Sequence, residues 1–173
     1  SGSDQVSAVA DLMFDSLDDS EAVDIALELL QTMPSPLAAR VVAYMVSEPI
    51  LEEAQEVRAR QILKEFWPLP RTYMLYRLKQ HTHEDLPFRW LELLIEMHEL
   101  RAVDRILEEL VAHARSASYK EDLLAILALL DRSEDPGVIG KLLRLTTDDS
   151  ALEAPLDILE EWLETSQLAQ PIE

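Results

Sequence analysis

The chain of 173 residues carries 34 acidic and 15 basic side chains, for a net charge of −19, with three glycines and no cysteine. Without cysteine there is no disulfide, zinc–thiolate site, iron–sulfur cluster or thiol nucleophile. The apolar share of 48% excludes wholesale disorder and suits one domain that buries roughly two-thirds of its unfolded surface. Ser1-Gly2-Ser3 reads as the remnant of an affinity tag, which leaves residues 4–173 as a single all-helical domain. No apolar run approaches the roughly 20 residues of a membrane span, and no leader is recognised before Asp4. No membrane insertion and a cytoplasmic location are therefore expected.

Glycine usage removes further classes. Apart from Gly2, only Gly137 and Gly140 are present. Neither GxGxxG nor GxxxxGK[ST] can be written, so there is no Rossmann fingerprint and no P-loop. GxSxG, the usual nucleophile elbow, is absent too.

Charge is distributed unevenly. Residues 4–39 hold eight acids (Asp4, Asp11, Asp15, Asp18, Asp19, Glu21, Asp24 and Glu28) and no base. Residues 145–173 hold eight more, again without a base, so the net charge runs −8, −3 and −8 along the chain. Both ends repel nucleic acid and anionic membranes and attract a basic protein. The plainer account is that terminal helices carry solvated acidic faces.

Periodicity is helical almost throughout. The spacing predicts helices over 5–17, 20–33, 36–47, 49–66, 71–82, 86–97, 99–114, 119–131, 136–146 and 150–165. Ser35-Pro36 and Asp135-Pro136 each set an N-cap residue before a first-turn proline, whose missing N–H costs nothing there. Pro68 and Pro70 force an extended break, and Pro87 closes the polar stretch that precedes it. In 99–114, Leu100, Val103, Ile106, Leu107, Leu110 and Val111 form one apolar stripe. Ser118 with Glu121, and Ser150 with Glu153, match capping boxes. Leu123–Leu130 is apolar all round and belongs among neighbouring helices.

The helices recur. Residues 22–43 laid over 122–143 bring Leu27 onto Leu127, Leu29-Leu30 onto Leu129-Leu130 and Pro36 onto Pro136, while Leu93-Leu94 stands 36 residues before Leu129-Leu130. Asp135-Pro136-Gly137-Val138-Ile139-Gly140-Lys141-Leu142-Leu143 precedes Asp148-Asp149 and a helix holding Leu152, Leu156, Ile158, Leu159 and Trp162, with Pro155 placed to kink it. Helix pairs every 33–36 residues resemble HEAT or armadillo-like repeats. TPR repeats match less well, because their Trp…Leu-Gly…Tyr spacing is absent. The resemblance implies a short α-solenoid of about nine to ten antiparallel helices, with a long concave face and no deep pocket. It implies a non-catalytic protein–protein interaction or scaffold domain of a larger assembly, with a protein partner and no cofactor. The acidic ends resemble adequate caps, so a monomer is expected.

Catalytic constellations are few. His81-Thr82-His83-Glu84-Asp85 groups metal-ligand types, but His-x-His directs its rings to different helix faces, and a polar loop with Asp85 as a cap explains it; no metal site is expected. Glu-x-x-His and HExxH are absent, which removes a ferritin-like di-iron site and a zincin. Glu52 with Glu56, and Glu92 with Glu96, share helix faces as solvated like charges. Residues 71–90 depart from the acidic trend: Arg71, Arg77, Lys79 and Arg89 alternate with Tyr73, Tyr76, Phe88 and Trp90. With Met74, Leu75 and Leu78 turned to the core, tyrosines and bases are left at the boundary, a composition typical of interface anchors. Arg71, Tyr73, Tyr76, Arg77, Lys79 and Arg89 are the candidate partner-binding residues; long side chains snorkelling over an amphipathic helix would look the same. Trp67, Trp90 and Trp162 are expected to pack in the core.

Three rival readings remain: a compact helical regulatory bundle that binds a small ligand, an enzyme using scattered carboxylates and histidines, and a homo-oligomer formed through an apolar end of the solenoid, against which the acidic ends argue. Leu127→Asp is expected to unfold the domain, because it strands a charge within the most apolar helix. Loss of the cooperative unfolding transition by circular dichroism checks this.

Overall fold

A computed structural model describes residues 2–80 and 88–99, together with Arg101, Asp104, Ala128 and Glu164. Among the described residues every regular element is helical: α1 (Gly2–Asp15), α2 (Ser20–Gln31), α3 (Pro36–Ser47), α4 (Glu53–Phe66), α5 (Arg71–Gln80) and α6 (Phe88–Glu96). Most of the helices expected beyond residue 99, the His81–Asp85 cluster, the later capping boxes and Trp162 lie outside the described residues. The chain divides into two compact units, Ser1–Gln80 with Pro87–Trp90, and His81–Leu86 with Leu91–Glu173.

In the first unit the helix ends follow from local chemistry. Asp19 opens α2 by accepting from the Ala22 N–H at 3.2 Å. Ser35 opens α3 by accepting from the Ala38 N–H at 3.1 Å, with Pro36 in the first turn, as the sequence predicts. Helix α4 starts at Glu53, four residues later than the expected start at Pro49. There the Gln55 side-chain oxygen accepts from the Glu52 N–H at 3.1 Å, one arm of a capping box. Trp67-Pro68 is a cis peptide within the turn that separates α4 from α5. Helix α1 begins at Gly2, so the tripeptide set aside as a tag remnant runs into the first helix.

Connections of four or five residues join α1 through α5, and α1 packs on α2, α2 on α3, and α3 on α4. Contacts also join alternate helices, α1 with α3 and α2 with α4. Polar bonds fix the direction of the second pair. At its N-terminal end α2 offers the Ser20 carbonyl and hydroxyl oxygens to the Gln55 amide, both at 3.1 Å, while the Ser20 hydroxyl donates to Glu52 at 3.1 Å. At its C-terminal end the Gln31 amide donates to Glu65 at 2.8 Å. N-terminus meets N-terminus and C-terminus meets C-terminus, so α2 and α4 run parallel.

The core of this unit is made of small and medium side chains. Val6, Ala10 and Met13 of α1 are buried, as are Val23, Ala26, Leu27 and Leu30 of α2, and Ala59, Ile62, Leu63 and Phe66 of α4. In α3, Ala38, Ala39, Val42, Ala43, Met45 and Val46 are all buried, so this helix is enclosed on more than one side. In the second unit, Leu91, Leu93, Leu94 and Ile95 are buried. Helix α6 ends there in a Schellman pattern, with the His98 N–H on the Ile95 carbonyl and the Glu99 N–H on the Leu94 carbonyl. His98 takes the left-handed position (φ 58°) that glycine usually fills.

Gln55 is the one buried polar side chain among the described residues, and all three of its hydrogen bonds are named above. Gln55→Glu is expected to destabilise the fold by about 1–3 kcal/mol at neutral pH, because a carboxylate faces the Ser20 carbonyl without a proton to donate. Burial raises the folded-state pKa of the new carboxyl. Its stability is therefore retained below the unfolded value and lost as pH rises through the folded one. Urea unfolding of the variant and the parent at pH 4 and pH 7 checks both the sign and the size.

Candidate partner-binding surface

Helix α5 places the residues singled out in the sequence. Met74, Leu75 and Leu78 are buried on its inner side, which fixes Tyr73 and Arg77 at the boundary and Tyr76 and Lys79 outside. No acidic residue occurs within Arg71–Gln80, whereas Arg71, Arg77 and Lys79 do. The helix is thus a basic element within an acidic chain.

The six residues divide by what they touch. Tyr73 is held against its neighbours: its ring meets Trp90 edge to face at 5.8 Å, and the Arg40 guanidinium of α3 lies over it at 5.2 Å. Arg89 pairs with Glu56 of α4 at 3.0 Å, at a half-exposed site. Arg71 is half-buried. Tyr76 stands 61% exposed, and its hydroxyl accepts from the Gln80 amide at 2.9 Å. The Arg77 guanidinium reaches the Gln80 side-chain oxygen at 3.5 Å, a long contact, while its Nε is buried without a hydrogen-bond partner. Lys79 is exposed on the same helix. Tyr76, Arg77 and Gln80 therefore form a linked outward group, and Tyr73 and Arg89 fasten neighbouring helices.

Sequence reasoning assigned Trp90 to the core, and it is buried. Less visible was its bond: the indole N–H donates to the Ala43 carbonyl of α3 at 2.7 Å. Gln80, which orders Tyr76 and meets Arg77, was missed as well. The available signal was its position four residues after Tyr76 and three after Arg77, the spacing at which helix side chains meet.

As chemistry, the surface offers cationic donors and an exposed aromatic ring. Among the described residues no group of three or more His, Asp or Glu side chains is placed to hold a metal ion, and no helix is long and apolar enough to cross a membrane. No protein-family model, characterised protein or solved structure matches the chain.

Trp90→Phe keeps a ring against Tyr73 and removes the bond to Ala43. It is expected to cost about 1–2 kcal/mol, and Trp90→Ala about 3–5 kcal/mol. Equilibrium urea unfolding of the two variants measures the difference.

Proposed function

We propose that the chain is a non-catalytic interaction module, a helical-repeat scaffold that binds an acidic segment of a partner protein across the outer side of α5. The observation that carries this reading is Tyr76, exposed yet held in place by Gln80. An ordered aromatic ring beside Arg77 and Lys79 loses little side-chain freedom on binding, and Tyr and Arg are among the residue types enriched at the energetic centre of interfaces. The unsatisfied Arg77 Nε adds to it: a partner carboxylate that draws the guanidinium outward relieves a buried unpaired donor.

The packing of the first unit supports the repeat half of the proposal. The bonds that set α2 parallel to α4 join residues 35 apart (Ser20 and Gln55) and 34 apart (Gln31 and Glu65). Phe14 of α1 and Tyr44 of α3 meet edge to face at 5.7 Å. Two helix pairs stacked with like helices in parallel are the building pattern of HEAT-type arrays, and the offset falls within the period that the sequence suggests. A single all-helical repeat domain, monomeric when free and cytoplasmic in location, is the form of the module we propose.

Tyr76→Ala combined with Arg77→Glu is expected to leave folding intact and to weaken partner capture at least tenfold. The parent and the double variant, each immobilised and exposed to extract from the source organism at low and at high salt, provide the comparison. Partners lost with the variant and with salt fit the proposal. Identical partner sets from both proteins at both salt concentrations remove α5 as the binding surface.

A further inference from the structure

The outer face of the α1–α2 pair combines two properties that rarely coincide. Ile25 and Leu29 of α2 are 51% and 44% exposed, and Leu12 of α1 is 67% exposed. All eight acids of residues 4–39 are exposed as well, and no base lies in that segment. Helix geometry places the apolar side chains together. On α2, Ser20 and Gln31 bond to α4 and mark one flank; Ile25 and Leu29 lie more than about 120° round the helix, turned away from α4. On α1, Phe14 meets Tyr44 and marks the α3 flank. Leu12, two residues earlier, projects to the opposite flank, turned away from α3. An apolar strip thus runs along the outer groove between the two helices.

Acids border this strip on both helices. Glu21 and Glu28 stand four residues before and three after Ile25, and Asp15 stands three after Leu12, the spacings at which helix side chains adjoin. An apolar strip edged by carboxylates is the complement of an amphipathic helix whose apolar face is edged by Lys and Arg. We infer that the outer α1–α2 groove docks a basic amphipathic helix of a partner protein. This goes beyond the α5 surface: it is a second site, of opposite charge, and rests only on reading the chain as an interaction module. Acid alone attracts any cation. The exposed Ile25, Leu29 and Leu12 are what select a helix with an apolar face.

The test uses a peptide of about 18 residues built from leucine and lysine, with leucines at helical i, i+3, i+4 spacing. A scrambled peptide of identical composition is the control. Titrated into the full chain and followed by amide chemical shifts, the patterned peptide is expected to perturb α1 and α2. It is expected to bind at least tenfold more tightly than the scramble. Ile25→Ser with Leu29→Ser, two exposed positions whose change leaves the unfolding midpoint in place, is expected to abolish that preference. Glu21→Lys with Glu28→Lys is expected to weaken binding at low salt. Equal affinity for the two peptides, or binding indifferent to the serine pair, would show simple charge attraction and overturn the inference; so would an absence of binding. Sedimentation showing that two copies associate through this face, and separate with the serine pair, assigns the groove to self-association instead and likewise overturns it. The α5 surface is read separately, by partner capture with the Tyr76→Ala and Arg77→Glu double variant, so failure at the groove leaves the α5 proposal standing.

Discussion

The indole N–H of Trp90, bonded at 2.7 Å to the Ala43 carbonyl, is the tie on which the candidate surface depends. A carbonyl inside a helix has a second lone pair, but a side chain reaches it only where the helix surface is low. Ala39 and Ala43 keep α3 low at this point, and both are fully buried. The indole is then trapped: its ring meets Tyr73 of α5, and Tyr73 in turn lies beneath Arg40 of α3. Helices α3 and α5 and the start of α6 are joined through one aromatic pair, and Arg89, next to Trp90, adds an ion pair to Glu56 of α4.

Orientation of α5 follows from that tie. With Tyr73 committed to Trp90 and Arg40, helical geometry puts Tyr76 about 60° round the helix from Tyr73, and Met74, Leu75 and Leu78 occupy the buried side. The outward group of Tyr76, Arg77 and Gln80 is thus set by packing on the opposite side of the same helix. A polar residue plays the matching part between α2 and α4. Gln55 spends both ends of its amide on backbone and hydroxyl partners, and its geometry admits one register between those helices. Apolar contacts alone tolerate sliding by a turn, whereas a satisfied buried amide does not.

Much of the first unit was legible in the sequence because its signals are local. Ser35-Pro36 set the start of α3 at the residue, and the apolar spacing set the inner faces of α2, α3 and α5. The start of α4 was not legible in the same way. Pro49-Ile50-Leu51 reads as the head of an apolar helix, and the actual cap uses Gln55 against Glu52 without the Ser or Thr that usually advertises it. The end of α6 hides its signal similarly, with His98 in the position where a glycine would announce a stop. At the surface, composition identified Tyr and Arg as candidates but could not divide them. Whether Tyr73 packs or projects depends on Trp90, seventeen residues away in the chain, and on Arg40, thirty-three residues away. Non-local pairings of that kind leave no period in the sequence.

Segregation of charge has a physical consequence for both surfaces. Residues 4–39 have no base and residues 71–80 have no acid, so α1 with α2 and α5 present fields of opposite sign. In water at physiological salt such fields fade within about 8 Å. A partner is therefore steered by the nearest few side chains rather than by the net charge of −19. At low salt the long-range repulsion between copies opposes self-association, even though one copy's basic helix complements another's acidic pair. At higher salt that repulsion is screened, and desolvated contacts such as those available at Tyr76 or Ile25 decide which molecule stays bound. Under the two binding roles proposed above, opposite charges kept apart on the chain separate two tasks, with electrostatics governing approach and the exposed apolar and aromatic side chains governing residence.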